Sequence, residues 1–98
     1  MNIGSIIRNL RKAQKITQAQ LAKLSGITQT YLSQIENNHK EPTIATLKVI
    51  AENLSTPLPI LLFMAVESND IPENKRAAYD AVSPSVKSLL DTLFKDDK

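Results

Sequence analysis

Gln29, Thr30, Ser33 and Gln34 are polar, uncharged side chains whose spacing gathers them on one side of a helix. Their chemistry is hydrogen bonding, not proton transfer. A glutamine amide offers donors at one end and an acceptor at the other, and each hydroxyl can do both. Asn37 extends the same side by one turn. The rest of the chain offers little else that could react. Cysteine is absent and His39 is the only histidine, so a thiolate metal site is excluded and His39 reads as an exposed loop residue. Neither a phosphate-cradling glycine loop, a Ser/His/Asp set nor a carboxylate pair in an apolar setting is present, so the reading is not an enzyme, with no cofactor and no metal.

These residues need a scaffold, and the hydrophobic periodicity supplies one. Ile3, Ile6, Ile7, Leu10 and Ala13 follow the spacing of a first helix, which leaves Arg8, Arg11, Lys12 and Lys15 largely off its buried face. After a break at Lys15-Ile16-Thr17, Thr17 caps a second helix from Gln18 to about Ser25 that buries Leu21, Ala22 and Leu24. Gly26 falls where that helix must end, in a chain with only two glycines, because a left-handed terminal residue costs glycine least. Thr28 caps the third helix, which buries Ile27 at its entrance and then Leu32 and Ile35. Its other side is the polar set described above.

Asn37 to Pro42 has the composition of a loop, and Thr43 opens a fourth helix with the stripe Ile44, Leu47, Ile50, Ala51 and Leu54. Ser55-Thr56-Pro57 starts a fifth, in which Ile60 to Val66 is apolar on every side and needs cover all round. Asp70-Ile71-Pro72-Glu73 has the form of an acidic cap leading into a short helix to about Tyr79. Ser83-Pro84-Ser85 then opens a last helix with the stripe Val86, Leu89, Leu90, Leu93 and Phe94. The fold class is all-α, and 98 residues suffice for one compact domain.

The net charge of +2 hides an asymmetry, since residues 1–42 carry +4 and residues 43–98 carry −2. The basic half is the candidate for a polyanion. The N-terminal residues lack the pattern of a signal peptide, and the run Ile60 to Val66 is far too short to span a membrane. No membrane association and a cytoplasmic location are therefore expected.

Two short helices joined by a tight glycine-containing turn can hold the second helix out into a DNA major groove. Residues 3–54 resemble the Cro and lambda-repressor type of helix-turn-helix, also called the XRE family. The resemblance is carried by Thr17-Gln18 with Leu21-Ala22, by Gly26-Ile27, by Tyr31 to Glu36, by Pro42 and by Leu47 to Ala51. It implies a five-helix DNA-binding domain over residues 1–66, with the motif at about 17–37 and a C-terminal helical extension over 67–98. It also implies that Gln29, Thr30, Ser33 and Gln34 face bases, a role suited to glutamine, which can pair with adenine N6 and N7.

By the same resemblance Gln18, Thr28, Tyr31, Asn38 and Lys40 meet the DNA backbone. Gln18 also buttresses the recognition helix. Asn38 stands where the family often has glycine, and asparagine tolerates left-handed geometry better than most residues. Tyr31 could equally pack at the rim of the core. Glu36 lies near the C-terminus of its helix, where its charge opposes the dipole, so a structural ion pair is expected, with Arg11 as its partner.

The leading expectation is a sequence-specific regulator of transcription acting on double-stranded DNA as a repressor. Its alternative is an antitoxin-like or anti-repressor protein-interaction module that uses the C-terminal helices on a protein partner. The apolar surplus after Pro57 suggests a homodimer on a palindromic operator; otherwise the last helix folds back and seals its own protomer.

Overall fold

The computed structural model describes residues 1–94, and among them all regular structure is helical. Six α-helices follow one another: α1 Ile3–Ala13, α2 Gln18–Ser25, α3 Gln29–Glu36, α4 Ile44–Asn53, α5 Leu58–Ala65 and α6 Glu73–Phe94, with a single 3₁₀ turn at Ser68–Asp70. The all-α expectation and the order of the first five helices hold.

Local chemistry sets the boundaries. Asn2, Thr17, Thr28 and Thr43 each accept a hydrogen bond from a backbone N–H in the first turn of the helix they precede. Thr17 and Gln20 complete a reciprocal capping box, so two free amides of α2 are satisfied at once. Gly26 closes α2 at φ 69° and ψ 28°.

The five helices enclose one core of Ile7, Leu10, Leu21, Ala22, Leu32, Ile35, Leu47, Ile50, Ala51, Leu54 and Leu61. Helix α1 packs on α3 and α5, α2 on α3 and α4, and α4 on α5. The axes of α4 and α5 meet at 102°, and among the described residues no single helix is long and apolar enough to cross a membrane. Side chains tie the corners together: Gln14 Nε2 donates to the Leu54 carbonyl at 2.7 Å, capping the C-terminus of α4. The Met1 ammonium donates to Asp70 Oδ1 at 2.9 Å, a bond that holds the amine above and the Asp70 carboxyl below their ordinary ranges.

Several expectations are corrected. Leu24 is 61% exposed and Ile44 64% exposed. In α2 the buried pair Leu21 and Ala22 sets the inward direction, and Leu24 lies about 110° from it around a helix of 3.6 residues per turn. Ile44, the first residue of α4, lies about 70° from the mean direction of Leu47, Ile50 and Ala51. Arg11 is not off the buried face of α1 but nearly enclosed, because it reaches the carboxylate of Glu36.

The short helix ending near Tyr79 and the last helix opening at Ser83 are one continuous helix, α6, with Pro84 inside it. Proline there removes one N–H donor, but Pro84 is exposed, so the carbonyl it leaves faces solvent while Ser83 and Leu90 stay buried on the other side. Asp70 does not cap this helix either. Its Oδ2 accepts from the Glu67 amide at 2.8 Å and closes the 3₁₀ turn instead.

Helix α6 is pinned at one carbonyl. Both Tyr79 Oη and Lys87 Nζ donate to the Val66 oxygen, each at 2.9 Å, and the Lys87 ammonium stands 5.9 Å from the Tyr79 ring centroid. Arg76 adds bonds to the Ser68 and Ile71 carbonyls at 3.0 Å each. The expected stripe of the last helix is accordingly split: Leu90 turns to the body, whereas Leu89 and Leu93 are 58% and 64% exposed.

Candidate nucleic-acid interface

Gly26 reverses the chain, Thr28 returns to an extended conformation, and its Oγ1 accepts from the Tyr31 amide at 3.0 Å to start α3. Because Leu32 and Ile35 then drop into the core, the opposite side of α3 must face outward. Gln29 and Thr30 are exposed there, and Ser33 and Gln34 are half-buried. With Gln18 of α2 they line a single shallow depression. All four side chains expected to face bases are thus assembled with one expected to meet the backbone.

The other expected backbone residues sit around this depression in different ways. Thr28 is exposed at the helix cap. Tyr31 is half-buried and packs against the core. Lys40 is exposed, and its backbone N–H returns to the Gln34 carbonyl at 3.2 Å, so the loop after α3 is held close to the helix. Asn38 takes the left-handed conformation at φ 59°. Its side chain turns toward α1: Oδ1 accepts from the Gly4 amide at 3.2 Å and Nδ2 donates to Asn2 Oδ1 at 3.0 Å. His39 is exposed.

Beneath the depression lies a buried charge. The Glu36 side chain is fully enclosed and receives Arg11 Nε at 2.8 Å on Oε2 and Arg11 Nη2 at 3.0 Å on Oε1. This is the bidentate pairing that a guanidinium fork makes with a carboxylate. Arg11 Nη1 also donates to the Ile16 carbonyl at 3.0 Å, which fixes the break between α1 and α2. The Arg11 partner expected for Glu36 is borne out.

Two further groups reach Glu36. Gln18 Nε2 donates to Oε1 at 3.2 Å, and Arg8 Nε lies 3.7 Å from the same oxygen. Arg8 Nη2 donates to the Glu36 carbonyl at 3.3 Å and to Asn37 Oδ1. Gln18 in turn accepts from Gln29 Nε2 at 3.4 Å, so two of the three glutamines of the depression are bonded to each other.

Sequence reasoning missed Arg8, the link from Gln18 to Glu36, and Gly4. A Cβ on Gly4 would stand 2.8 Å from the Glu36 carbonyl oxygen, so the glycine lets α1 approach the end of α3. Its signal was available, since an isolated glycine within a helical stripe commonly marks close packing.

The helix-turn-helix family model matches residues 7–61. The control protein C.SmaI of Serratia marcescens is 36% identical over 56 residues, 57% of this chain and 67% of that protein. The immunity repressor protein of Bacillus phage phi105 is 37% identical over 51 residues, 52% of this chain but only 35% of its own length. A mutant of the restriction-modification controller protein C.Esp1396I superposes with a TM-score of 0.61 at 28% identity, over 65% of this chain and 83% of that one. With the family model spanning more than half of its residues, the chain belongs to the XRE-type helix-turn-helix family of DNA-binding transcriptional regulators.

Proposed function

We propose that this chain is a cytoplasmic repressor that recognises a specific double-stranded DNA site through α3. The observation that carries the reading is the shared depression of Gln18, Gln29, Thr30, Ser33 and Gln34. Its polar groups are uncharged and outward, which suits base edges better than phosphates. In this reading Gln29 and Gln34 pair with bases through their amides, and Thr30 and Ser33 add a methyl contact or a hydrogen bond.

The DNA backbone is met by Gln18, Thr28, Tyr31, Asn38 and Lys40. The first amides of α2, at Gln18 and Ala19, lie ahead of the capping bonds and can receive a phosphate at the positive end of the helix dipole. For Asn38 the backbone N–H is not the donor, since it is bonded to the Ile35 carbonyl at 3.0 Å, so a residual side-chain N–H is. The +4 balance of residues 1–42, the part of the chain that holds the helix-turn-helix, suits a polyanion.

Residues 1–66 then form the DNA-binding unit, and residues 67–98 serve assembly as a homodimer on a palindromic site. Repression is supported by the name of the phage relative, an immunity repressor. An antitoxin-like or anti-repressor module would use the apolar outer side of α6 on a protein and leave the polar side of α3 without a task. Selection of random duplex DNA on the immobilised full chain at near-physiological salt tests the proposal. Enrichment of one palindromic motif is expected, and a pool that stays random overturns it.

A further inference from the structure

A glutamine amide has two ends of opposite polarity, and its orientation is dictated only by a partner that can bond in one sense. Glu36 is such a partner. Its carboxylate is enclosed and ion-paired with Arg11, so it has acceptors to offer and no proton to give. The end of Gln18 that faces it, at 3.2 Å, must therefore be the NH₂ group. That turns Gln18 Oε1 outward, where it can only accept, and the group that meets it at 3.4 Å must be the NH₂ of Gln29. Polarity thus passes from a buried charge through one amide to the next. Gln29 is left with its carbonyl oxygen and one N–H for anything beyond the surface.

The consequence is a fixed order of acceptor and donor at the tip of Gln29. An adenine edge, with its N6 donor beside its N7 acceptor, is complementary to that order, whereas guanine presents acceptors at both O6 and N7. A Gln29 amide free to rotate could offer its NH₂ to guanine instead and lose the distinction. We propose that Glu36 is a positioning residue for base readout: through Gln18 it fixes the polarity of the Gln29 amide and makes the base pair met there selective for adenine over guanine. This rests on the DNA-binding reading above. It extends that reading from the residues at the surface to one enclosed beneath them.

The test uses the full chain and the duplex that it selects. Gln29→Ala first identifies the base pair that Gln29 reads, as the pair at which discrimination is lost. The wild type is expected to bind the adenine duplex about tenfold or more tightly than the same duplex with guanine at that pair. Gln18→Met keeps the Arg11–Glu36 pair but cuts the relay, and Glu36→Gln keeps volume while allowing Gln18 to turn either way. Both are expected to fall to about twofold discrimination at that pair, the bonding order being lost, while discrimination at the pair read by Gln34 is unchanged. A helical, folded variant of either kind that retains the wild-type ratio overturns the proposal. If Glu36→Gln does not fold, Gln18→Met decides alone, since it leaves the Arg11–Glu36 pair in place. A wild type that selects no motif defeats the DNA-binding reading itself, an outcome distinct from selection without the relay.

Discussion

A Cβ atom on Gly4 would collide with the backbone oxygen of Ile35, coming closer than any real contact of that kind. The same glycine donates its amide to Asn38, so the start of α1, the end of α3 and the loop beyond it meet at one point. Since the Ile35 and Glu36 oxygens are backbone, moving the third obstructing atom, Asn38 Oδ1, does not relieve the clash. Gly4→Ala is expected to force the helices apart and destabilise the fold by about 1–3 kcal/mol, despite the better helix propensity of alanine. Urea unfolding followed by circular dichroism measures it. An alanine variant as stable as the wild type would show that the two helices are not held this closely in solution.

How much of this was legible in the residues depends on whether a feature is local. Thr17, Gly26, Thr28 and Thr43 announce helix ends because a cap is a bond between neighbours, and each boundary follows. The outward set on α3 was readable for the same reason, since Leu32 and Ile35 fix the inward side. Leu24 and Ile44 are apolar residues at the edges of their helical stripes, where apolar character alone does not mark burial, and Arg11 is enclosed only because Glu36 of another helix meets it. The continuity of α6 through Pro84 was hidden as well: Ser83-Pro84-Ser85 is a good helix start, and only the anchoring of Tyr79 and Lys87 on the Val66 carbonyl makes one long helix preferable. Arg11 and Glu36 could be paired by charge, but the bond from Gln18 to Glu36 spans eighteen positions and has no pattern to betray it.

The Arg11–Glu36 pair gives a second expectation, because both side chains are out of water. Arg11→Ala leaves the Glu36 charge enclosed with only Gln18 and the longer Arg8 contact, and is expected to cost about 3 kcal/mol or more. Replacing both residues by apolar ones of similar volume, Arg11→Met with Glu36→Leu, removes the buried charge together with its partner and is expected to recover most of that loss. Thermal melts of the single and double variants decide. A double variant no more stable than Arg11→Ala would mean that the pair is needed for packing and not for charge balance.

Specificity and anchorage are separable at the surface. Gln29→Ala and Gln34→Ala are each expected to cost about 1–3 kcal/mol on the selected duplex and little on random DNA. Lys40→Ala, in contrast, is expected to weaken all duplexes alike. Parallel titrations on specific and random duplexes measure both. Equal losses on the two duplexes for both glutamine variants, with the fold intact, would remove the base-reading role.

Salt reports the phosphate contacts. If a dimer engages about six to eight phosphates, log K against log salt concentration is expected to fall with a slope of about −5 to −7, through counterion release. Lys40→Ala is expected to reduce the slope by about one for each phosphate it releases in a protomer. A flat salt response in the wild type contradicts binding of this kind.

Assembly turns on the two sides of α6. Ser83 and Leu90 face the body, while Val82, Leu89 and Leu93 are 59%, 58% and 64% exposed. With half-buried Val86 between them, these outer residues follow the alternating three-and-four spacing of a helix seam, the pattern that a second helix fills by knobs-into-holes packing. Folding back onto its own protomer therefore uses one side of α6 and leaves the other for a copy of the chain. A two-fold pairing of this kind would set two α3 helices about 34 Å apart, one turn of DNA, and account for a palindromic site. Leu89→Glu with Leu93→Glu puts charge on the seam without touching Leu90 or the Val66 anchor. The double variant is expected to stay helical, sediment as a monomer and lose most of its affinity for the full palindrome, while binding a half-site as the wild-type protomer does. A wild type that sediments as a monomer at micromolar concentrations, or a double variant that binds the full palindrome undiminished, would leave the outer side of α6 without this role.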